Sequence, residues 1–157
     1  MKLISFTCAD TLPLTPTEVA SRILDPSRWP DFTGFGPLPG VRSAVFEARL
    51  PGIVGTCIRV TNGDGSSHRE EVVEWEPDRL LRFAATDFSP PLSRLSYKFV
   101  ETWEFEPVGS GTQVTRSFEL HPRSALTRPA LFLISCLLRR AVARHLQRMR
   151  GVEQVGH

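Results

Sequence analysis

Two charged side chains interrupt apolar faces in the C-terminal half of the sequence. In residues 97–105 the odd positions are aromatic except for Glu101, and in residues 112–120 the even positions around Arg116 are apolar. Side chains alternate between the two faces of a strand, so both charges are predicted to lie among apolar neighbours. The intervening turn at residues 109–111 predicts a hairpin. Its two plausible registers place Glu101 directly opposite Arg116 or on the adjacent diagonal.

This predicted pair leaves two interpretations open. In the functional one, Glu101 and Arg116 orient a polar group of a ligand, or Glu101 accepts a proton while Arg116 stabilises a developing enolate. In the structural one, they form a satisfied ion pair, because an unpaired buried charge costs several kcal/mol. His145, on the apolar side of the last predicted helix, completes a catalytic constellation in the first case and is a core histidine in the second.

The remaining candidate site residues are apolar or aromatic. Trp29 and Phe32 follow a short predicted helix and either close the mouth of a cavity or serve packing alone. The others come from the predicted hairpin and from the inner face of the last helix. The predicted ligand-binding set is Trp29, Phe32, Tyr97, Phe99, Trp103, Phe118, Leu138 and Val142.

Capping and turn signals predict the elements that position these residues. Residues 3–8 favour a first strand, and Thr15 precedes Pro16 and Glu18 in the pattern of a capped helix. Asp25 and Pro26 end this helix and begin a second, very short one. Six further β-type runs divided by turns predict hairpin-connected antiparallel strands. These runs are residues 41–50, 55–61, 68–75, 79–86, 97–105 and 112–120.

The last predicted helix, residues 126–152, has an apolar stripe on one side and arginines on the other. Spacings of three and four place the stripe residues on one face. They are Leu131, Ile134, Leu138, Val142, His145, Met149 and Val152. Residues 123–150 contain seven arginines and no acidic residue. Residues 130–138 are apolar nearly all round, so we expect the 90–92 loop to cover them, with a partner, a ligand entrance or a membrane surface as alternatives.

Composition narrows the class of protein. The 157 residues are 41% hydrophobic and 23% charged, which favours one globular domain spanning residues 1–157. A net charge of +2 and the lack of interleaved aromatics in the basic run do not favour nucleic-acid binding. Three scattered cysteines show no metal-ligand spacing, so we expect no metal, no cofactor and a reducing, cytoplasmic location. No leader or transmembrane segment is predicted.

Several segments together resemble the START-like (SRPBCC) superfamily, in particular its polyketide cyclase/dehydrase and lipid-transport branch. They are residues 15–19, 25–32, 51–56, 72–81 and 111–115, in this order among the predicted elements. The resemblance implies an α+β helix-grip fold, in which a curved antiparallel sheet wraps a long C-terminal helix and two short helices follow the first strand. It also implies a ligand cavity between sheet and helix, without a fixed catalytic motif.

Three functions follow as hypotheses. The first is binding of a small hydrophobic, lipid-like or polyketide-like molecule in the cavity, which requires only the aromatic wall. The second is a cyclase/dehydratase-type enzyme that uses Glu101, Arg116 and His145 for acid/base chemistry. The third is a membrane-surface or partner-interaction protein that uses the apolar start and basic face of the last helix. The oligomeric state stays open, a homodimer included.

Overall fold

One antiparallel sheet and one long helix dominate the computed structural model, which describes residues 2–155 and their side chains through residue 151. The strands are β1 (Ile4–Leu12), β2 (Val41–Ala48), β3 (Cys57–Asn62), β4 (Ser67–Glu76), β5 (Leu80–Thr86), β6 (Ser96–Val108) and β7 (Gly111–Pro122). The α-helices are α1 (Pro16–Ile23) and α2 (Arg128–Val155), and short 3₁₀ helices span Pro26–Asp31 and Leu92–Arg94.

The sheet is a meander from β2 to β7 that ends beside the first strand. Its order is β1-β7-β6-β5-β4-β3-β2, and every neighbouring pair is antiparallel. Register shifts interrupt the β2–β3, β4–β5 and β6–β7 pairings, and such bulges increase the bend and twist of a sheet. This curved open sheet with a long C-terminal helix confirms the predicted helix-grip fold.

The capping signals predicted from the sequence are present. The Glu18 backbone N–H donates to Thr15 Oγ1 at 3.2 Å, and the Thr15 N–H donates to Glu18 Oε1 at 3.3 Å, which completes a capping box. Asp25 caps the first 3₁₀ helix by accepting from the Ser27 N–H at 3.1 Å. The Trp29 indole N–H donates to the Ile23 carbonyl at 2.8 Å, and this hydrogen bond links the first 3₁₀ helix to the end of α1.

Two packed clusters of buried apolar side chains lie between α2 and the sheet. The cluster beside α1 comprises Leu12, Leu14, Val19, Ala20, Ile23, Val72, Leu81, Phe83, Trp103, Phe105, Val114, Leu146 and Met149. The cluster at the other end of α2 comprises Ile4, Phe118, Leu120, Leu131 and Val142. The hydrophobic side of α2 therefore holds the helix lengthwise against the sheet.

The predicted stripe of α2 divides into buried and half-buried positions. Leu131, Val142 and Met149 are buried, while Ile134, Leu138 and His145 are half-buried. The predicted stripe residue Val152 lies outside the described side chains. Over the described residues, no helix combines the length and hydropathy that crossing a membrane requires.

Candidate functional site

A cavity of about 500 Å³ lies between the inner face of the sheet and α2. Its sheet side includes Phe83, Phe99 and Phe118, and its helix side includes Ile134 and Leu138. Loops after the first 3₁₀ helix and after β5 contribute to the rim. A concave, mainly apolar space of this size suits one small organic molecule.

Glu101 and Arg116 meet inside this cavity. Glu101 is paired in register with Phe118, and Trp103 with Arg116, so the two charged residues are diagonal neighbours across the β6–β7 hairpin. Arg116 donates from Nε at 2.8 Å and from Nη2 at 2.5 Å to the same Glu101 oxygen, Oε2. The side chains are 6% and 12% exposed for Arg116 and Glu101. The contact predicted from strand alternation is confirmed.

The same guanidinium reaches His145 on α2. Arg116 Nη1 lies 2.9 Å from His145 Nδ1, and the guanidinium carbon stands 4.0 Å from the centroid of the Trp103 ring. Stacking on an indole is favourable for arginine because the ring face is electron-rich. The structure therefore brings all three candidate catalytic residues into one network, which we call the polar corner: Glu101, Arg116 and His145.

Hydrogen-bond chemistry fixes the protonation state of His145. A guanidinium has no acceptor atom, so Arg116 donates and His145 Nδ1 accepts. The neutral ring then carries its proton on Nε2. Burial, followed by the nearby charges of Arg116 and Arg148, lowers the pKa of His145 to about 3. His145 is therefore a neutral hydrogen-bond donor through Nε2 across the physiological range.

Opposing effects act on Glu101. Burial raises the pKa of its carboxyl group, while the Arg116 guanidinium beside it acts in the opposite direction. The buried guanidinium needs a counter-charge, because a buried charge without one is strongly destabilising. With His145 neutral, Glu101 supplies that counter-charge as a carboxylate. The Trp103 indole N–H also favours the charged carboxylate, although Nε1 meets no acceptor at hydrogen-bond geometry among the described residues.

A second polar pair on the cavity wall was not among the predicted site residues. His68 and Glu70 of β4 line the cavity, and His68 Nε2 lies 3.1 Å from Glu70 Oε2. The negative charge of Glu70 contributes to raising the pKa of Glu101, so the two carboxylates influence each other. The sequence signal is weak here, since the adjacent Val72 and Val73 give the strand no clear alternation.

Six of the eight predicted ligand-binding residues line the cavity. Phe99, Trp103 and Phe118 stand on the sheet and Leu138 on α2, while Trp29 and Phe32 come from the first 3₁₀ helix and its end. The Trp29 ring packs edge-on against Phe83 and the Phe32 ring against His145, each with centroids 5.7 Å apart. These aromatic rings therefore pack and line the cavity at the same time.

Tyr97 and Val142, the other two predicted residues, lie elsewhere. A register shift between Ser96 and Lys98 breaks the alternation of β6, so Tyr97 is 50% exposed and its hydroxyl lies 3.3 Å from His121 Nδ1. The bulge turns Tyr97 outward, which strict alternation cannot anticipate. Val142 is fully buried in the Leu131-containing cluster. It packs against the sheet instead of facing the cavity.

The start of α2 is only partly covered. Leu92 and Leu95, next to the 90–92 loop, pack against the cluster that contains Leu131. Phe132 and Leu133, however, are 52% and 66% exposed. The expectation that the loop covers this apolar segment is wrong for these two residues, because at least half of each stays accessible to solvent.

No group of three or more His, Cys, Asp or Glu side chains suited to a metal ion occurs within the described part of the chain. The polar corner instead offers hydrogen bonding and a compensated pair of charges. Such a corner orients a polar atom of a ligand, or moves a proton if the ligand reacts.

The curved sheet, the long C-terminal helix and the cavity between them define the helix-grip class of domains. Within it, the chain belongs to the family described as polyketide cyclase / dehydrase and lipid transport, whose model matches residues 4–152. The predicted resemblance is therefore confirmed. A comparison with curated proteins finds no match.

Solved structures share the fold at low sequence identity. A START superfamily protein from Mycobacterium smegmatis matches with a TM-score of 0.73 at 11% identity, covering 96% of this chain and 98% of the other. Ara h 8.0201 gives 0.72 at 15% identity, covering 96% and 97%. The di-domain ARO/CYC StfQ from the steffimycin biosynthetic pathway gives 0.74 at 16%, covering 99% of this chain and 53% of that protein.

Proposed function

We propose that the protein binds a small hydrophobic molecule in the cavity between the sheet and α2, with one polar group of the ligand at the polar corner. The observation that carries this proposal is the cavity of about 500 Å³, whose largely apolar wall contains one buried, compensated charge network. The family and fold support hydrophobic-ligand binding at the level of class.

The apolar and polar parts of the cavity lining contribute differently to ligand binding. Removing apolar ligand surface from water contributes about 25 cal/mol per Å², which gives affinity for any molecule of suitable shape. Hydrogen bonds add little net free energy, but a buried polar group without a partner costs about 1–3 kcal/mol. The apolar wall therefore supplies affinity, and the polar corner supplies orientation and selectivity.

Two aromatic residues of β6 provide a matched test. Phe99 lines the cavity, whereas Tyr97 is exposed outside it. We expect Phe99→Ala to weaken binding of an environment-sensitive naphthalene dye by about tenfold, because it removes aromatic contact surface. Tyr97→Ala should leave the affinity unchanged. Equal effects of the two changes in folded proteins would contradict the proposed site.

The chemical class of the natural ligand is accessible to native mass spectrometry of protein purified from cells. A co-purified hydrophobic molecule that dissociates when Phe99 is changed to Ala would support the proposal. Retention of the same molecule by both Phe99→Ala and the wild type at equal occupancy would place it outside the cavity.

A second candidate function is cyclase-type catalysis, favoured by the convergence of Glu101, Arg116 and His145. Glu101 would remove a proton next to a carbonyl group, and N–H donors of the corner would stabilise the enolate oxygen. The enolate carbon then forms a bond to a second carbonyl carbon, whose oxygen takes up the proton. A linear polyketone should cyclise faster with the protein than without it, and Glu101→Gln should abolish that acceleration.

A further inference from the structure

We infer that the cavity selects an uncharged ligand that bears a hydroxyl group, an alcohol, phenol or enol, and discriminates against carboxylates. This inference rests on the proposed ligand binding and names the chemistry of the ligand's polar end. The observation that carries it is the charge and hydrogen-bond state of the polar corner together with Glu70 on the same cavity wall.

The only guanidinium in the polar corner is already neutralised. Arg116 spends two N–H groups on Glu101 and a third on His145, and it is 5% exposed. A ligand carboxylate at this place would therefore meet no cation without a counter-charge. It would instead meet the carboxylate of Glu101, in a setting where charges are screened less than in water.

Glu70 makes the same wall less favourable for an anion. Its carboxylate lines the cavity, and its negative charge contributes to raising the pKa of Glu101. Glu101, Glu70 and Arg116 place two carboxylates and one guanidinium on this part of the wall, a net charge of −1 for the three groups. Three more arginines line the cavity, Arg22, Arg28 and Arg148, together with the carboxylates of Asp31 and Asp64. Arg28 and Arg148 are exposed, so water and salt weaken their attraction for an anion, and the half-buried Arg22 is already engaged in a contact within the protein.

The open hydrogen-bonding atoms complement a hydroxyl group. His145 Nε2–H is a donor, and Glu101 Oε1 is an acceptor; the hydrogen bonds with Arg116 use the other atom of each group, His145 Nδ1 and Glu101 Oε2. Both residues line the cavity, and neither side chain is completely enclosed. A hydroxyl can accept from the first and donate to the second. A carboxylate can only accept, which sets its oxygens against Glu101 Oε1.

The test compares two fluorescent probes with the same tricyclic ring, anthracenemethanol and anthracenecarboxylate, near neutral pH. We expect the wild-type protein to bind the alcohol at least about tenfold more tightly, the effect of roughly 1.4 kcal/mol. Glu101→Gln should abolish or reverse this preference, since it leaves the Arg116 charge uncompensated. Glu74→Gln, on the outer face of the sheet, serves as the control and should keep the wild-type preference.

A second variant keeps the comparison decisive if Glu101→Gln does not fold. Glu70→Gln removes the neighbouring carboxylate and should shift the preference toward the carboxylate probe by a smaller factor. Equal or tighter binding of anthracenecarboxylate by the wild type would overturn the inference while leaving the proposed binding function intact. Binding of neither probe, together with failure to bind the naphthalene dye, would contradict the proposed function itself.

Discussion

Glu101 and Thr102 are neighbours in β6 and face opposite sides of the sheet, yet each receives a hydrogen bond from an arginine of an adjacent strand. On the inner face Arg116 donates to Glu101 at 2.8 Å. On the outer face Arg82 donates to Thr102 Oγ1 at 3.0 Å and to Glu74 at 2.8 Å. The inner pair is 6% and 12% exposed, and Arg82 and Glu74 are each 38% exposed.

The difference shows that similar geometry carries different energetic consequences on the two faces. Water can replace either partner of the outer pair, whose contribution to stability is therefore small. The inner pair has lost its water, so each charge depends on the other. Burying a charge pair costs free energy of desolvation. Its position at the wall of a cavity therefore fits a site that presents polar atoms to a ligand.

The largest expected effect is the loss of one inner partner. Glu101→Leu or Arg116→Met should each destabilise the protein by about 3–5 kcal/mol, because an uncompensated charge stays buried. The double variant should recover much of this loss. Denaturant unfolding of the two single variants and the double variant measures the coupling between them.

Ligand binding by the double variant separates structure from function. If the corner serves only stability, the folded double variant should bind anthracenemethanol as the wild type does. If the corner orients the ligand, affinity for this probe falls while the cavity persists. Additive, near-zero changes in the free energy of unfolding would contradict the buried pair.

The next effect concerns pH and His145. Its pKa is about 3 in the folded protein, below the ordinary value of 6.5, so the folded state binds fewer protons than the unfolded chain between these values. Stability should therefore fall as the pH decreases below 6.5. About two pH units below 6.5, protonation of the unfolded chain at His145 lowers the free energy of unfolding by about 2–3 kcal/mol.

His145→Gln isolates this contribution. Glutamine can still accept from Arg116 but gains no proton in acid. The raised pKa of Glu101 acts with the opposite sign, favouring the folded state as pH falls, and is common to both proteins. The wild type should therefore lose more stability than the variant between neutral and mildly acidic pH in denaturant titrations. Parallel pH profiles would show that His145 is not held neutral by its surroundings.

The sequence predicts the order of elements and the contact between Glu101 and Arg116 because local signals agree with each other, whereas the helix-grip arrangement is predicted from the family resemblance. The capping box at Thr15 and the turns between strands fix the order of elements. The hairpin between β6 and β7 has a short turn, so strand alternation nearly determines which residues meet. The contact between Glu101 and Arg116 follows from these local rules alone.

Other parts of the site depend on packing that no local rule contains. The bulge beside Ser96 turns Tyr97 outward, and the adjacent Val72 and Val73 conceal which face His68 and Glu70 occupy. The width of the cavity is set by how α2 lies on the sheet. Helical periodicity assigns Leu138 and Val142 to the same side of α2, but only the assembled fold shows that one lines the cavity and the other is enclosed.

The smallest change in stability is expected for Arg82 on the outer face of the sheet. This arginine is the matched counterpart of Arg116 on the inner face. Arg82→Met removes hydrogen bonds to Glu74 and Thr102 that resemble those of Arg116 in number and length. Because both ends stay accessible to water, the change should cost less than about 1 kcal/mol. It should also leave the affinity for the naphthalene dye unchanged, since Arg82 lies on the face of the sheet opposite the cavity. If Arg82→Met lowered the free energy of unfolding as much as Arg116→Met does in the same denaturant titration, burial would not explain the difference between the two arginines.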